Sequence, residues 1–254
     1  MKIHHLRNAT HILHIGTHRI LVDPMLGAPG TFTNFRWFGQ KRQKNPLVPL
    51  PPGTQAALDE TTACIISHCR RRHLDHLDKT GMEFLRERQI PTYGTEGDVS
   101  FLKKKGIAAH PFTEESLGFK IQAIAARHGH GWIGPLVGPG TGWFLAPEGN
   151  PSIYLTGDTV LTKDVRRAIT ELQPDIIIAP AGAAQLDVGQ ELLFTRSELL
   201  ELAQIAPKKI LFNHLEALDH CPVTRTALRQ TLSKAHLLEK CFIPEDGEII
   251  DIQL

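Results

Sequence analysis

The stretch SHCRRRHLDH, residues 67 to 76, carries the histidines and aspartate of a metal-binding loop, interrupted by three consecutive arginines, Arg70, Arg71 and Arg72. Imidazole and carboxylate groups hold divalent ions, and a bound ion makes water a usable nucleophile near neutral pH. A guanidinium is permanently charged, cannot ligate a cation, and forks onto carboxylates or phosphates instead. The stretch therefore poses two chemistries, metal-assisted hydrolysis and anion binding. Three further segments end on residues of the same kinds: IQAIAARH on His128, IYLTGD on Asp158 and KILFNH on His214, while CIISH ends on His68. An unpaired imidazole or carboxylate is costly in a core, so strand ends that meet at one rim would make a site of them. Taken singly, His128 or His214 reads as a surface or hydrogen-bonded residue, and Asp158 as a cap or turn former.

The elements that must position these residues alternate between strand and helix. HILHIG and RILVDP flank a Gly16-Thr17 turn and read as a hairpin. Residues 25–53 follow, rich in proline, glycine and basic residues with no steady period. Loops this long are lids or linkers, and Phe35, Trp37 and Phe38 favour a lid that covers a substrate. TACIISH reads as a buried strand and HLDKTGMEFLRERQI as the helix after it. PTYGT, FKIQAIAA, GWFLAP and SIYLTGD give further strands. In LTKDVRRAITEL, Val165, Ile169 and Leu172 share a helical face. PDIIIAP is a strand, and TRSELLELAQI begins with Thr195 and Glu198 at capping-box spacing. KKILFNH, the helix TRTALRQTLSKA and the strand EIIDIQL complete the chain. Two strand-rich halves with helices between them predict a sheet sandwich with helices outside.

Composition narrows the function. The chain has 254 residues, 41% hydrophobic, which suits one large α/β domain spanning 1–254. Lysine plus arginine number 28 against 27 for aspartate plus glutamate, so there is no general drive towards nucleic acid or membrane. No apolar run reaches membrane-spanning length, and the start lacks a signal peptide's apolar stretch, which predicts a cytoplasmic protein. Cys64, Cys69, Cys221 and Cys241 form no CxxC pair, so neither a disulfide framework nor a zinc ribbon is indicated. The expected partner is a small, anionic molecule, with homo-oligomer formation left open.

In order and spacing, SHCRRRHLDHLD, RHGHG, YLTGDT and FNHLEALDHCP together resemble the metallo-β-lactamase superfamily, in particular its ascorbate-6-phosphate lactonase-like hydrolases. ILVDPML and NPLVPLP fit the same branch, so the resemblance covers nearly the whole chain. It implies a four-layer αββα sandwich with a metal site, often dinuclear, at one edge. The family's first motif is His-x-His-x-Asp-His. Laid directly on this chain, it takes His68 as first and His73 as last histidine and puts Arg70 and Arg72 at ligand positions. Asp75 is then a near-site carboxylate, and His76 lies on the following helix. A shifted frame takes His73, Asp75 and His76 as the last three members, provided the loop after His68 has gained three residues. The direct frame keeps the expected strand and helix lengths and is the one we adopt at this point.

The resemblance further places His128 at the third-motif histidine, Asp158 at the bridging aspartate and His214 at the last histidine. His68, His73, His128, Asp158 and His214 then form the ligand set for zinc, with manganese or iron as alternatives, and Asp158 and His214 are the catalytic residues. His130 and His220 fall in the same loops as second-layer or substrate groups. Two functions follow. One is a metal-dependent hydrolase of a lactone or phosphoester, with an altered, mononuclear site. The other is a degenerate relative in which Arg70 and Arg72 bind an anionic metabolite without catalysis.

Overall fold

A computed structural model of the chain describes residues 1–38, 42–70, 73–132 and 134–253. Arg71 and Arg72, and residues 39–41 of the expected lid, lie outside them.

Thirteen strands occur among the described residues. In chain order they are β1 (Lys2–Arg7), β2 (Thr10–Ile15), β3 (His18–Val22), β4 (Ala63–Ile65), β5 (Thr92–Gly94), β6 (Ala109–Pro111), β7 (Lys120–Arg127), β8 (Pro139–Ala146), β9 (Ile153–Leu155), β10 (Ile176–Pro180), β11 (Lys209–Asn213), β12 (Cys241–Phe242) and β13 (Ile249–Asp251). The helices are α1 (Thr54–Asp59), α2 (Lys79–Glu87), α3 (Glu96–Lys104), α4 (Gly134–Val137), α5 (Lys163–Leu172), α6 (Arg196–Ile205) and α7 (Arg225–Lys234).

The strands form two sheets, ordered β13-β1-β2-β3-β4-β5-β6 and β12-β11-β10-β9-β8-β7. The expected hairpin is present, with Ile15 opposite His18 across the Gly16-Thr17 turn. Side-chain alternation along the strands decides the layering. Ile176, Ile178, Ile153 and Leu155 of one sheet meet Leu13, Ile15, Ile20 and Ile65 of the other in a shared apolar layer. The intervening residues point outward. Ile177, Tyr154 and Phe212 pack under α5, α6 and α7 through Val165, Ile169, Leu202 and Leu228. Ile12, Leu21 and Cys64 pack under α1, α2 and α3 through Leu58, Leu85 and Leu102. This is the αββα sandwich.

Helix starts follow from local chemistry. Asp78, Thr95, Thr162, Thr195 and Thr224 each accept a hydrogen bond from the backbone N–H three residues on, and Thr195 with Glu198 closes the expected capping box. Three helices were not expected, among them α4, a single turn of four residues. Helix α3 buries only Asp98, Val99 and Leu102, too few to write a periodic stripe, and α1 is one short turn and a half after Gly53. Among the described residues no helix is long and apolar enough to cross a membrane.

The irregular segment after β3 is tied to the body rather than free. Buried Arg7 donates to the carbonyls of Met25 (2.6 Å), Gly27 (2.9 Å) and Val48 (2.8 Å), at both ends of the segment. Asp219 accepts from the amides of Phe35 and Arg36 and from the Asn45 side chain. Replacing Arg7 by alanine strips donors from three carbonyls at once. Urea denaturation should show a loss of about 3 kcal/mol, whereas Arg166→Ala, which removes a half-exposed pair with Glu201, should change stability by less than about 1 kcal/mol.

Candidate metal centre

The carboxyl ends of four strands, three inner and one at a sheet edge, meet at one rim of the sandwich. His68 follows β4, Asp158 follows β9, His214 follows β11 and His128 follows β7. Two backbone features bring them together. Gly157 has φ 59° and sits so close to the Thr141 carbonyl that a Cβ would lie 2.8 Å from that oxygen, and this turn aims Asp158 at the rim. His214 itself has φ 58°, its amide bonded to the Asn8 carbonyl at 2.9 Å.

The imidazoles and carboxylates fall into two groups whose ligand-type atoms lie within 4.8 Å of one another: His68, His73 and His128, and Asp75, His76, Asp158 and His214. Every member is buried except His73, which is half-buried. The groups adjoin, since the rings of His68 and His76 are 4.1 Å apart. Asp158 Oδ2 stands between them, 3.0 Å from His76 Nε2, 3.3 Å from His128 Nε2 and 3.7 Å from His214 Nε2.

The outer nitrogen of each ring is held from behind, which fixes the tautomer. His128 Nδ1 meets the Leu192 carbonyl at 3.1 Å and His73 Nε2 the Val137 carbonyl at 3.4 Å, so each of these nitrogens donates. His76 Nδ1 lies 2.9 Å from Asp23 Oδ2. Ser67 donates its hydroxyl to that same Asp23 oxygen at 2.6 Å, which leaves its Oγ to accept from His68 Nδ1 at 3.0 Å. His214 Nδ1 faces Cys221 Sγ at 3.5 Å. In consequence Nε2 of His68, His76 and His214 and Oδ1 of Asp75 are buried with no hydrogen-bond partner. His76 Nε2 is near Asp158 but off the line of a hydrogen bond. Converging, unpartnered ring nitrogens beside a carboxylate oxygen, with the far nitrogens of the rings held by outer partners, are what a divalent cation fits.

Charge tells the same story. Burial alone would raise Asp158 and Asp75, but the histidines around them, His76 foremost, hold both carboxyls well below the usual range. Burial would lower His214, yet Asp158 pulls it up to about 10, and Asp158 and Asp23 raise His76 likewise. Burial wins for His128, at about 4, and for His68, which is held well below its ordinary value.

The geometry departs from the direct alignment of the first motif at His76 and at Arg70. Asp75 and His76 join the ligand cluster, and His76 lies in a turn ahead of α2, which starts only after its cap at Asp78. Arg70 is not at a ligand position: its guanidinium lies over Gly97 and pairs with Asp98 on α3, Nε to Oδ1 3.3 Å. At Asp98 the Arg70 cation finds a carboxylate instead of a metal's repulsion. Arg72 lies outside the described residues.

Other expected residues divide. His220 is buried beside Phe35, ring centroids 4.5 Å apart, with Nδ1 unpartnered, and burial lowers it to about 4. His130 points elsewhere, to Glu198 Oε2 at 3.0 Å. Phe35 lines the cleft, whereas Trp37 and Phe38 are 67% and 70% exposed. Asp23, Ser67 and Cys221 were missed. Asp23 had a signal, an aspartate before proline at the end of a strand, but nothing local marked its partner.

The family model described as beta-lactamase superfamily domain matches residues 18–215. UPF0173 protein YddR of Bacillus subtilis (strain 168) is 30% identical over 254 residues, 98% of each chain. A crystal structure described as a possible metal-dependent hydrolase from Veillonella parvula DSM 2008 aligns with TM-score 0.90 and 26% identity over 99% of both chains. That of an isothiocyanate hydrolase from Delia radicum gut bacteria aligns with TM-score 0.88 and 24% identity, again over 99% of both.

Because Asp158 pulls His214 up to about 10, metal uptake near pH 7.5 is expected to displace its proton. Apparent affinity should therefore fall as the solution is acidified and rise towards pH 10. Calorimetry in buffers of different ionisation enthalpy should record proton release on zinc binding; uptake with no proton release would remove His214 from the ligand set.

Proposed function

Since the chain belongs to the metallo-β-lactamase superfamily and is a metal-dependent hydrolase of that fold, we propose that it cleaves a lactone or phosphoester-type small molecule with a two-ion site built from His68, His73 and His128 on one side and Asp75, His76, Asp158 and His214 on the other. The observation that carries this reading is the set of inward, unpartnered Nε2 atoms at the rim. Zinc suits an imidazole-rich set with carboxylate oxygens, and manganese or iron would accept the same donors.

When bound, the metal supplies Lewis acidity towards the scissile carbonyl or phosphoryl oxygen and makes a nucleophile available near neutral pH. The chain's own residues do the positioning. Asp158 Oδ2, central among three imidazoles, is placed to accept a hydrogen bond from the attacking water and so orient it. His214 stands opposite, 3.6 Å from Asp75 Oδ2. Asp23 and Ser67 hold His76 and His68 in the tautomers that face inward. His220, neutral at pH 7 and at the cleft wall, is placed to hold the leaving oxygen. Residues 25–53, tied down by Arg7 and Asp219, form the lid, with Phe35 as the part that meets the substrate. We place the activity in the cytoplasm, in one domain spanning the chain.

The degenerate, anion-binding alternative drew on arginines at ligand positions, and Arg70 is engaged by Asp98. The test is a panel of γ-lactones and aryl phosphodiesters offered to zinc-, manganese- and iron-loaded protein. Turnover abolished by chelation is expected, with His76→Ala losing at least about a hundredfold and Arg70→Ala remaining within a few-fold of the parent. Full metal occupancy without turnover of any substrate, or turnover indifferent to chelation, would overturn the reading.

A further inference from the structure

The outer strands of a sheet present unpaired backbone groups, and proteins blunt such edges with short strands, prolines, bulges or charge. Three of the four edges here are blunted in that way: β12 has two residues, β13 three, and β6 three with Pro111 as its last. The fourth, β7, is eight residues long and contains no proline. It pairs with β8 in unbroken register, from Lys120 opposite Ala146 to Arg127 opposite Pro139. Within it Ala123 and Ala125 are exposed.

The direction in which β7 offers its backbone is fixed at the Arg127 end. Pro139 has no N–H, so it cannot exchange a pair of hydrogen bonds with Arg127. The Arg127 amide donates instead to Thr159 Oγ1 and its carbonyl accepts from the Val160 amide, both at 3.0 Å. Residues of an antiparallel ladder alternate between groups turned towards the partner strand and groups turned away from it. Ile121, Ala123 and Ala125 therefore turn their amides and carbonyls away from β8, as Arg127 does, and among the described residues none of these groups meets a partner. The open stretch is centred on Ala123. Beside it runs a groove of about 260 Å³ between β7 and α5, whose walls include Gln122, Asp164, Arg167 and Glu171. Asp164 stands towards the Arg127 end, because Val160 is held there just before α5 begins.

We propose that β7 pairs with β7 of a second copy of this chain, antiparallel about a two-fold axis at Ala123, which joins the two six-stranded sheets into one. A two-fold contact requires a surface complementary to itself, and this edge is. With Ala123 opposite its own copy, Ile121 faces Ala125, and each facing pair exchanges both of its hydrogen bonds. A shift towards Arg127 would set Ile121 against groups that Thr159 and Val160 already hold. Alanine, a small side chain, lies at the axis. Lys120 falls opposite Ala126 rather than Arg127, so no like charges face each other. Ile124 packs into the α5 layer, and Lys120 projects on the same side, so Lys120 of the second copy comes to the Asp164 end of the groove. This goes beyond the hydrolase reading and does not depend on it, since no residue of the metal cluster takes part.

The test is sedimentation velocity of the full chain, with zinc present, from ~1 to ~100 µM, a range open to an interface of modest size. The mass should rise from one chain to two across it. Ala123→Pro removes the central amide, and Ala123→Lys keeps that amide but sets two like charges at the axis. Both should weaken dimerisation at least about tenfold, and the lysine variant should keep the parent's urea midpoint. With oxidised glutathione as oxidant, Ala123→Cys should cross-link between copies, because opposed residues of such a pair have Cα atoms ~5.5 Å apart. Ala125→Cys, which lies opposite Ile121, should not. A parent that keeps the mass of one chain throughout, a dimer untouched by Ala123→Lys, or equal cross-linking of the two cysteine variants would overturn the proposal.

Discussion

Asp75 and Asp158 are buried as carboxylates at the same rim, 4% and 2% exposed, and their need for positive charge organises the structure around them. Two anions this close and this dry are tolerable only beside cations, because burial alone would protonate them. Without metal, His76 and His214 supply that charge by holding protons. In the two-ion reading proposed above, a bound metal would supply that charge and the same nitrogens would serve as its ligands.

Holding these groups together explains features which would be liabilities elsewhere. Asp23, Asn8 and His214 all have positive φ, a conformation that L side chains seldom adopt. Each is held by partners: Asp23 accepts from Ser67 and His76, and Asn8 donates to the Asp75 carbonyl while its own carbonyl receives the His214 amide. Local backbone strain of this kind persists where surrounding contacts over-determine it, and here it joins the ends of β1, β3 and β11 at the site. The outer layer of partners is therefore as much a part of the centre as the ligands are.

Much of this was legible in the chain. The continuous apolar runs in PDIIIAP and SIYLTGD, buried along their whole length, and the helical stripe of LTKDVRRAITEL mark inner strands and a covering helix, and strand-end residues point to the rim. At the first motif, constant strand and helix lengths point to the direct alignment, whereas ligand types point to the shifted one, in which Asp75 and His76 join the cluster. A loop takes up three residues at little entropic expense, so loop length is the weaker constraint. The decisive local signal was Asp78, three residues before Gly81, an N-cap that starts the helix after His76 and leaves HLDH free to turn inward. The pairings of Asp23 with His76 and of Arg70 with Asp98 join residues far apart in the chain, and no periodicity encodes them.

The central claim is that two ions share this rim with Asp158 between them. Anomalous diffraction at the zinc edge, from crystals grown with zinc, tests it directly. The account predicts two peaks about 4 Å apart, one among His68, His73 and His128, the other among Asp75, His76, Asp158 and His214. A single peak, or one coordinated without His76 and Asp75, would contradict it.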